Sequence, residues 1–303
     1  MLNNIWKIIF LVFLSSCAND TLTGVDSDNE SSANINNLDI ITWNVEHYPK
    51  HSNTNMYLEN IINDLGGVDI IALQEIESST QLSALANNLG NNWIDYRHES
   101  SDWGELSYLI NSETIIFQEP YAILNEYQYY FAYRPPYVLE FDYDNQHFIL
   151  INVHYKCCGD GNLDEEDSGD EEYRRLQATY YLDNYISANF SDSNVIIAGD
   201  FNDSLDDEQQ NNVFNLFFNN SEYLFTDLPM ALASNYWQYW SFPSWPSHLD
   251  HIVITNELFD EYENINSTCN TLIFDNLFDN GWLDYDSYIS DHRPVRLSLD
   301  TNQ

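Results

Sequence analysis

An acid and an amide stand two positions apart at the end of a short apolar run in the middle of the chain. Residues 195–198 are Val-Ile-Ile-Ala, Gly199 follows, and Asp200 and Asn202 come next. A β-branched run ended by glycine is typical of a buried strand, and side chains at i and i+2 of an extended segment point the same way. Together the carboxylate and the carboxamide can bind a hard cation, hold a water molecule and hydrogen-bond a phosphate. The alternative is a turn in which one of them caps the next helix.

Polar residues of the same kinds stand at the ends of other apolar runs. Open α/β sheets bind ligands at the ends of their strands, so these residues are candidates for one shared site. Six such places in a single domain are difficult to explain as turn caps alone. Besides Asp200 and Asn202, they comprise Asn44, Glu75, Asn152 with His154, Asp250 with His251, and Asp291 with His292.

The elements that must position these residues alternate along the chain. Strand-like runs cover 39–44, 68–73, 195–198, 249–255 and 294–299, helical spacing covers 56–65, 79–89 and 171–185, and several strands follow one another in 106–153. This order predicts an α/β fold in which two sheets pack together with helices outside them. No linker-like stretch interrupts residues 38–300, which we therefore interpret as one domain.

The composition excludes a basic nucleic-acid-binding surface. The 303 residues include 49 acidic and only 9 basic ones, a formal net charge of −40, while 44% hydrophobic residues suffice for a sizeable core. Such a surface repels a polyanionic substrate unless metal ions hold the substrate or high salt screens the charge. The acidic residues are spread along the chain, which suggests a solvated surface adapted to a saline setting.

The N-terminus has the pattern of an export signal. Lys7 precedes seven apolar residues, too few to cross a bilayer as a helix but typical of a secretory signal core. The ending Leu14-Ser15-Ser16-Cys17 resembles a bacterial lipobox, which implies cleavage before Cys17 and a lipid on its thiol. We therefore expect a signal peptide over 1–17, a flexible polar linker over 18–37 and a cell-envelope lipoprotein, at the outer membrane or cell surface. An ordinary signal peptide with a chance cysteine is the alternative.

Three further cysteines follow the lipobox-like segment. They are Cys157, Cys158 and Cys269, and in an exported protein they can form disulfides. One thiol is left over whichever pair forms, and the sequence leaves open whether Cys157 and Cys158 join each other or one of them reaches Cys269. No Cys-x-x-Cys spacing occurs, so a zinc site of that type is not expected.

The ordered set of polar strand ends resembles the endonuclease/exonuclease/phosphatase superfamily, whose fold is that of DNase I and of abasic-site endonucleases. The resemblance spans residues 38–300 and implies a four-layer α/β/β/α sandwich of two packed mixed β-sheets. The matching pieces are Trp43-Asn44, Leu73-Gln74-Glu75, Asn152-Val153-His154, Gly199-Asp200-Phe201-Asn202, Leu249-Asp250-His251 and Ser290-Asp291-His292.

The same resemblance implies a metal site. Glu75 corresponds to the main Mg²⁺ or Mn²⁺ ligand, with Asn44 and Asp291 close by. This assignment is consistent with the preference of such cations for carboxylate, amide and water oxygens. A structural Ca²⁺ is a separate hypothesis for the acidic loop 160–167. That loop lacks the glycine at the sixth position and the closing glutamate of an EF-hand, so a solvated acidic loop is the alternative.

The resemblance also implies the catalytic roles. His292 corresponds to the catalytic histidine and Asp250 to the partner that orients it. Asp200 is expected to position or deprotonate the attacking water, and Asn202 to bind a phosphoryl oxygen. His154 is expected to stabilise the transition state or to protonate the leaving group.

Three further residues have weaker assignments. Glu105 resembles a family position near the substrate. Arg175 is one of few basic residues and is either a salt-bridge anchor or a phosphate contact. His251 would point away from the site in a strand, and we interpret it as structural.

These observations predict a divalent-metal-dependent phosphodiesterase, an exported nuclease that hydrolyses DNA or RNA. A phosphomonoesterase or a sphingomyelinase-like phospholipid hydrolase on the same site is the alternative, because fold does not settle substrate. A surface-binding lipoprotein without catalysis is a third hypothesis. We expect a monomer with a lipid anchor and no protein partner.

Overall fold

The computed structural model describes residues 37–99, 104–233 and 235–302. The expected signal peptide, the lipidation site Cys17 and all but the last residue of the expected linker lie outside these residues and stay predictions. Within the described part, no helix is both long and apolar enough to cross a membrane.

The described residues contain thirteen strands, seven α-helices and four short 3₁₀ segments. The strands are β1 Asn37–Tyr48, β2 Ile70–Ile76, β3 Trp93–Arg97, β4 Glu105–Asn111, β5 Ile116–Phe117, β6 Tyr121–Ala122, β7 Tyr137–Tyr143, β8 Gln146–His154, β9 Asn194–Asp200, β10 Tyr223–Phe225, β11 Asp250–Thr255, β12 Thr268–Thr271 and β13 Val295–Asp300. The helices are α1 Thr54–Leu65, α2 Ser79–Leu89, α3 Glu171–Asn189, α4 Asn215–Asn219, α5 Leu228–Ala231, α6 Phe259–Glu263 and α7 Trp282–Tyr288, and the 3₁₀ segments are Asn125–Tyr127, Trp237–Tyr239, Asn256–Leu258 and Asp275–Leu277.

The strands form two mixed sheets. One has the order β12-β13-β1-β2-β4-β3, and the other has the order β10-β11-β9-β8-β7-β5 with β6 paired to β7. The neighbours β1 and β2 run parallel, as do β8 and β9, and the other pairs are antiparallel. The two packed mixed sheets flanked by helices confirm the predicted fold class.

Three apolar clusters correspond to the three interfaces between the four layers. Ile40 and Ile196 face the core between the sheets. Their chain neighbours Ile41 and Ile197 face outward, one beneath α1 and α2 and the other beneath α3. Both faces of the central strands are therefore buried, which explains why the sequence shows continuous apolar runs there rather than alternation.

Local signals predicted the positions of the main helices and strands, and in one helix they predicted both ends. Helix α2 has the expected bounds, with the Ser78 side chain accepting from the Gln81 amide and Gly90 at the C-cap. The expectation that β9 stops before Gly199 is wrong, because this strand continues to Asp200. This position in the strand requires glycine, because a Cβ on Gly199 would be 2.0 Å from the carbonyl oxygen of Val153 on the neighbouring strand. Its absent side chain allows β8 and β9 to approach closely.

Candidate functional site

Six of the polar strand-end residues line one cavity of about 500 Å³, whereas Asn44, Asn152, Asp250 and His251 are not among its lining residues. Residues from β2, β8, β9 and the segment before β13 contribute to its wall, so both sheets supply side chains. Its lining includes Glu46, Glu75, His154, Asp200, Asn202, Asp291 and His292.

A buried carboxamide connects the two sheets at this cavity. Asn44 Nδ2 donates to Glu75 Oε1 at 3.1 Å and to Asp200 Oδ2 at 2.9 Å. Asn44 and Glu75 belong to one sheet and Asp200 to the other. The Asn44 side-chain oxygen accepts from the Glu46 amide at 3.0 Å, which fixes the orientation of the carboxamide.

Two of the predicted metal ligands, Glu75 and Asp291, line the cavity, and the third, Asn44, hydrogen-bonds to Glu75. Glu75 adopts φ +61° and its Oε2 accepts from the His47 amide at 3.1 Å. The pKa of Asp291 is raised to about 7, mainly by burial and also by the nearby Glu46 carboxylate, while the charge of His292 opposes the shift. Hard divalent cations prefer carboxylate oxygens such as those of Glu75 and Asp291, and a bound cation would offset the repulsion between these acids. Asn44 directs its Nδ2 at Glu75, and its oxygen accepts from the Glu46 amide, so in this orientation it contributes no oxygen to the space between the acids. The donor set therefore fits Mg²⁺ or Mn²⁺.

His292 contacts Asp250, the residue that the resemblance implies as its partner. The ring Nδ1 lies 2.8 Å from Asp250 Oδ2, and Nε2 lies 3.8 Å from Asp200 Oδ2 and 3.9 Å from Asp291 Oδ1. Burial lowers the pKa of His292, but the charges of Asp250 and Asp200 and the hydrogen bond to Asp250 outweigh burial and raise it to about 10. His292 is therefore a cation at neutral pH in this arrangement.

His154 also faces Asp200 but differs from His292 in charge. Its Nε2 lies 3.5 Å from Asp200 Oδ2 and 3.9 Å from Glu75 Oε1. Burial lowers the pKa of His154 well below its usual value, and the charges of Arg134 and His292 lower it further. No described residue lies within hydrogen-bonding distance of the buried Nδ1. His154 is thus a neutral imidazole that can donate or accept one hydrogen bond.

Asp200 and Asn202 both reach the cavity, and neither caps a helix. Asp200 Oδ1 accepts from the Asn202 amide at 2.9 Å, and Asn202 adopts φ +54°. The next helix among the described residues begins only at Asn215. The pKa of Asp200 is raised to about 6, mainly by burial and also by the charges of Asp250 and Glu75, while the charge of His292 and the hydrogen bond from Asn44 oppose the shift. The carboxylate is therefore mostly ionised at neutral pH and can accept a proton.

The two weaker candidates occupy different positions. Arg175 is buried in the cavity wall, where its Nε lies 2.7 Å from Asp203 Oδ2 and its Nη2 lies 3.2 Å from Glu172 Oε1. Its Nη1 donates to the carbonyls of Lys156 and Cys158, which favours the anchor over the phosphate contact.

Glu105 is buried behind the cavity rather than among its lining residues. Its Oε2 lies 3.2 Å from His98 Nδ1. Its neighbour Gly104 packs against the backbone of Glu75. Glu105 can therefore influence the site through Glu75 and its surroundings.

Sequence reasoning missed Arg134. Its guanidinium donates to the Tyr155 carbonyl at 3.2 Å, and its charge acts on Glu75, Asp200 and His154. Burial lowers the pKa of Arg134, against the carboxylates that raise it. Two features of the sequence could have drawn attention to Arg134. It is one of only 9 basic residues, and it directly precedes two prolines.

A second buried cluster lies beside the site. Asp227 Oδ2 is 3.1 Å from His248 Nε2 and 2.5 Å from His251 Nδ1, and the other ring nitrogens face the carbonyls of Tyr239 and Asp203. All four ring nitrogens thus face oxygen acceptors. Burial lowers the pKa of His251, but the charge of Asp227 and their hydrogen bond outweigh burial and raise it. This cluster ties β11 to the segment that follows Asp200.

The acidic loop 160–167 satisfies its own backbone. Asp160, Asp164 and Asp167 accept from amides two residues further on. The two compact groups of His, Cys, Asp or Glu found among the described residues lie elsewhere, at Asp227 and at Asp200. The Ca²⁺ hypothesis stays a prediction.

A family model and solved structures match the chain. The model described as the Endonuclease/Exonuclease/phosphatase family matches residues 41–292. No curated protein is significantly similar in sequence.

The similar solved structures share the fold at low sequence identity. TDP2 of D. rerio, complexed with single-strand DNA product, has 15% identity and a TM-score of 0.65, covering 88% of this chain and 99% of its own. The catalytic domain of human Nocturnin with bound sulfate has 14% identity and a TM-score of 0.57, covering 87% and 93%. An endonuclease/exonuclease/phosphatase from Bacteroides vulgatus has 11% identity and a TM-score of 0.58, covering 88% and 99%.

The buried cluster predicts a pH-dependent contribution of His251 to stability. Because its pKa is raised above the usual 6.5, the contribution is fully present below that pH and is lost as pH rises through the folded-state value. We expect His251→Gln to lower the free energy of unfolding by roughly 3 kcal/mol near pH 6 and by less near pH 9. Urea unfolding of the variant and the wild type at the two pH values measures both differences in free energy. The surface variant His147→Gln is the control, and a deficit that grows with pH would contradict the prediction.

Proposed function

The chain belongs to the endonuclease/exonuclease/phosphatase family, and on that premise we propose that it is a divalent-metal-dependent phosphodiesterase that hydrolyses DNA or RNA. One observation carries the proposal: Asn44, Glu75, Asp200, His154 and His292 converge from two sheets on one cavity. The single-strand DNA bound by the TDP2 structure supports a nucleic-acid substrate for this fold.

The side chains have complementary tasks in this proposal. Asp200 holds the attacking water and accepts its proton, since its carboxylate is ionised but has a raised pKa. The cationic His292 and the neutral His154 bind phosphoryl oxygens, and the distances of 3.8 and 3.5 Å from their Nε2 atoms to Asp200 Oδ2 support this role. Asn202 adds a further hydrogen-bond donor to the phosphate. The P–O bond to the leaving oxygen breaks as the new bond to water forms.

Glu75 and Asp291, with Asn44 beside them, would hold the metal ion. A bound divalent cation supplies charge stabilisation for the phosphate and its leaving oxygen. The protein has few basic residues that could neutralise the substrate, because its sequence contains 9 Lys and Arg and 49 Asp and Glu. Charge neutralisation of a polyanionic substrate therefore depends on the cation and on His292, while Arg134, which is not among the cavity-lining residues, contributes through its charge.

Metal dependence is directly testable on four substrates: DNA, RNA, sphingomyelin and small phosphomonoesters. We expect cleavage of DNA or RNA with Mg²⁺ or Mn²⁺ and no cleavage in EDTA, because the acidic cavity then has no divalent cation to offset the substrate charge. Gel electrophoresis and phosphate release measure the products. If DNA and RNA stay intact while a monoester or sphingomyelin is hydrolysed, the proposed nuclease activity is refuted. That result would favour the phosphomonoesterase or the sphingomyelinase-like hydrolase.

The two cavity histidines are testable by matched substitutions. We expect His292→Gln and His154→Gln each to lower kcat by about a thousandfold, because each removes a group that contacts the reacting phosphate. The control is His147→Gln, an exposed histidine paired with Asp142, whose kcat is expected to equal that of the wild type. Full activity of either cavity variant would refute the assigned site.

We further propose export and lipid attachment at Cys17, on the evidence of the N-terminal sequence alone. In a bacterial host fed labelled palmitate, the full chain should acquire label and Cys17→Ser should not, because the thiol is the acceptor. Cys269→Ser is the control. Equal labelling of both variants, or no label on the wild type, would refute lipidation at this residue.

A further inference from the structure

Two adjacent cysteines lie in the wall of the substrate cavity. Cys157 and Cys158 follow β8 and line the same space as His154 and Arg175. Both are exposed, and Cys158 Sγ lies 3.0 Å from Cys157 Sγ. The proposed hydrolysis uses neither thiol.

The third described cysteine does not share their surroundings. Cys269 lies on β12, the edge strand of the other sheet, and packs against the core between the sheets. Cys157 and Cys158 instead line the cavity at the carboxyl end of β8. Of the pairings that the sequence leaves open, the described residues therefore favour the one between neighbours.

The backbone around the pair is held in place. Arg175 Nη1 donates to the Lys156 carbonyl at 2.7 Å and to the Cys158 carbonyl at 2.8 Å. Cys158 adopts φ +72° and Gly159 adopts φ +106°, and a Cβ at Gly159 would lie 2.2 Å from Glu172 Oε1. Because this anchored turn already brings the sulfurs together, little conformational entropy remains to be lost when they join.

We propose that Cys157 and Cys158 are a covalent modification site that forms a vicinal disulfide at the rim of the cavity. The oxidant is a small-molecule or protein disulfide. The Cys157 thiolate attacks it, forms a mixed disulfide and expels one thiol, and Cys158 then attacks Cys157 Sγ and expels the second thiol. Two cysteine thiols and one disulfide thus become the vicinal disulfide and two thiols, with both protons and both electrons passing to the oxidant.

The effect of the bond is local. A disulfide stabilises a fold mainly by closing a loop in the unfolded chain, and this one encloses only its own two residues. Adjacent Cα atoms are only about 3.8 Å apart, less than most disulfides span, so the bond is easier to reduce than a structural one. The bond therefore shapes the cavity wall without stabilising the whole domain.

Mass spectrometry of the full chain tests the proposal without any enzymatic readout, so its result is independent of the proposed nuclease activity. The protein is equilibrated with oxidised glutathione, quenched in acid, alkylated with a maleimide and digested. We expect the peptide with Cys157 and Cys158 to be two hydrogen atoms lighter than its reduced form and to take up no maleimide. Dithiothreitol should restore two alkylated sites.

Matched variants complete the experiment. Cys157→Ser and Cys158→Ser should each carry glutathione on the remaining thiol, whereas Cys269→Ser should behave as the wild type. Two maleimides or two glutathiones on the wild-type peptide, or a bond from it to Cys269 or Cys17, would overturn the proposal. A large rise in melting temperature on oxidation would also contradict it, because two adjacent residues enclose no loop.

Discussion

Crowding of carboxylates at the edge where two sheets meet is the constraint on which the rest of the site depends. Asn44 donates to Glu75 of its own sheet and to Asp200 of the other, so packing of the sheets forces these acids together. Burial and mutual repulsion raise the pKa values of Asp200 and Asp291. The cationic His292 offsets part of this charge. The excess of negative charge that remains explains why such a site suits a divalent cation.

Polar groups buried between the sheets support this edge. Gln74 Nε2 donates to Asn152 Oδ1 at 2.8 Å, and Asn152 Nδ2 donates to the carbonyls of Leu73 and Ser107. These bonds join the strands that carry Glu75 and His154. Several residues at the edge have positive φ, including Glu75 and Asn202. Backbone strain of this kind persists only where the surrounding structure holds it.

Much of the fold follows from local patterns in the sequence. Continuous apolar runs predict the doubly buried central strands, and helical spacing predicts helix α2 to the residue. Gly199 shows where prediction from local patterns fails. This glycine does not form a turn but allows close contact with Val153 of the neighbouring strand. Arg134 and His248 were missed for a related reason. Their importance lies in partners far away in the chain, and no periodicity records such partners.

The sequence by itself determined which chemical groups stand at the strand ends and in what order, since residue type and strand periodicity are local properties. Only the tertiary structure decided their charge states. His154 and His292 are identical side chains, yet the pKa of one is lowered and that of the other is raised to about 10. The difference arises because Arg134 stands near the first and Asp250 contacts the second. Both partners arrive from distant parts of the chain, so only folding determines which histidine is the cation.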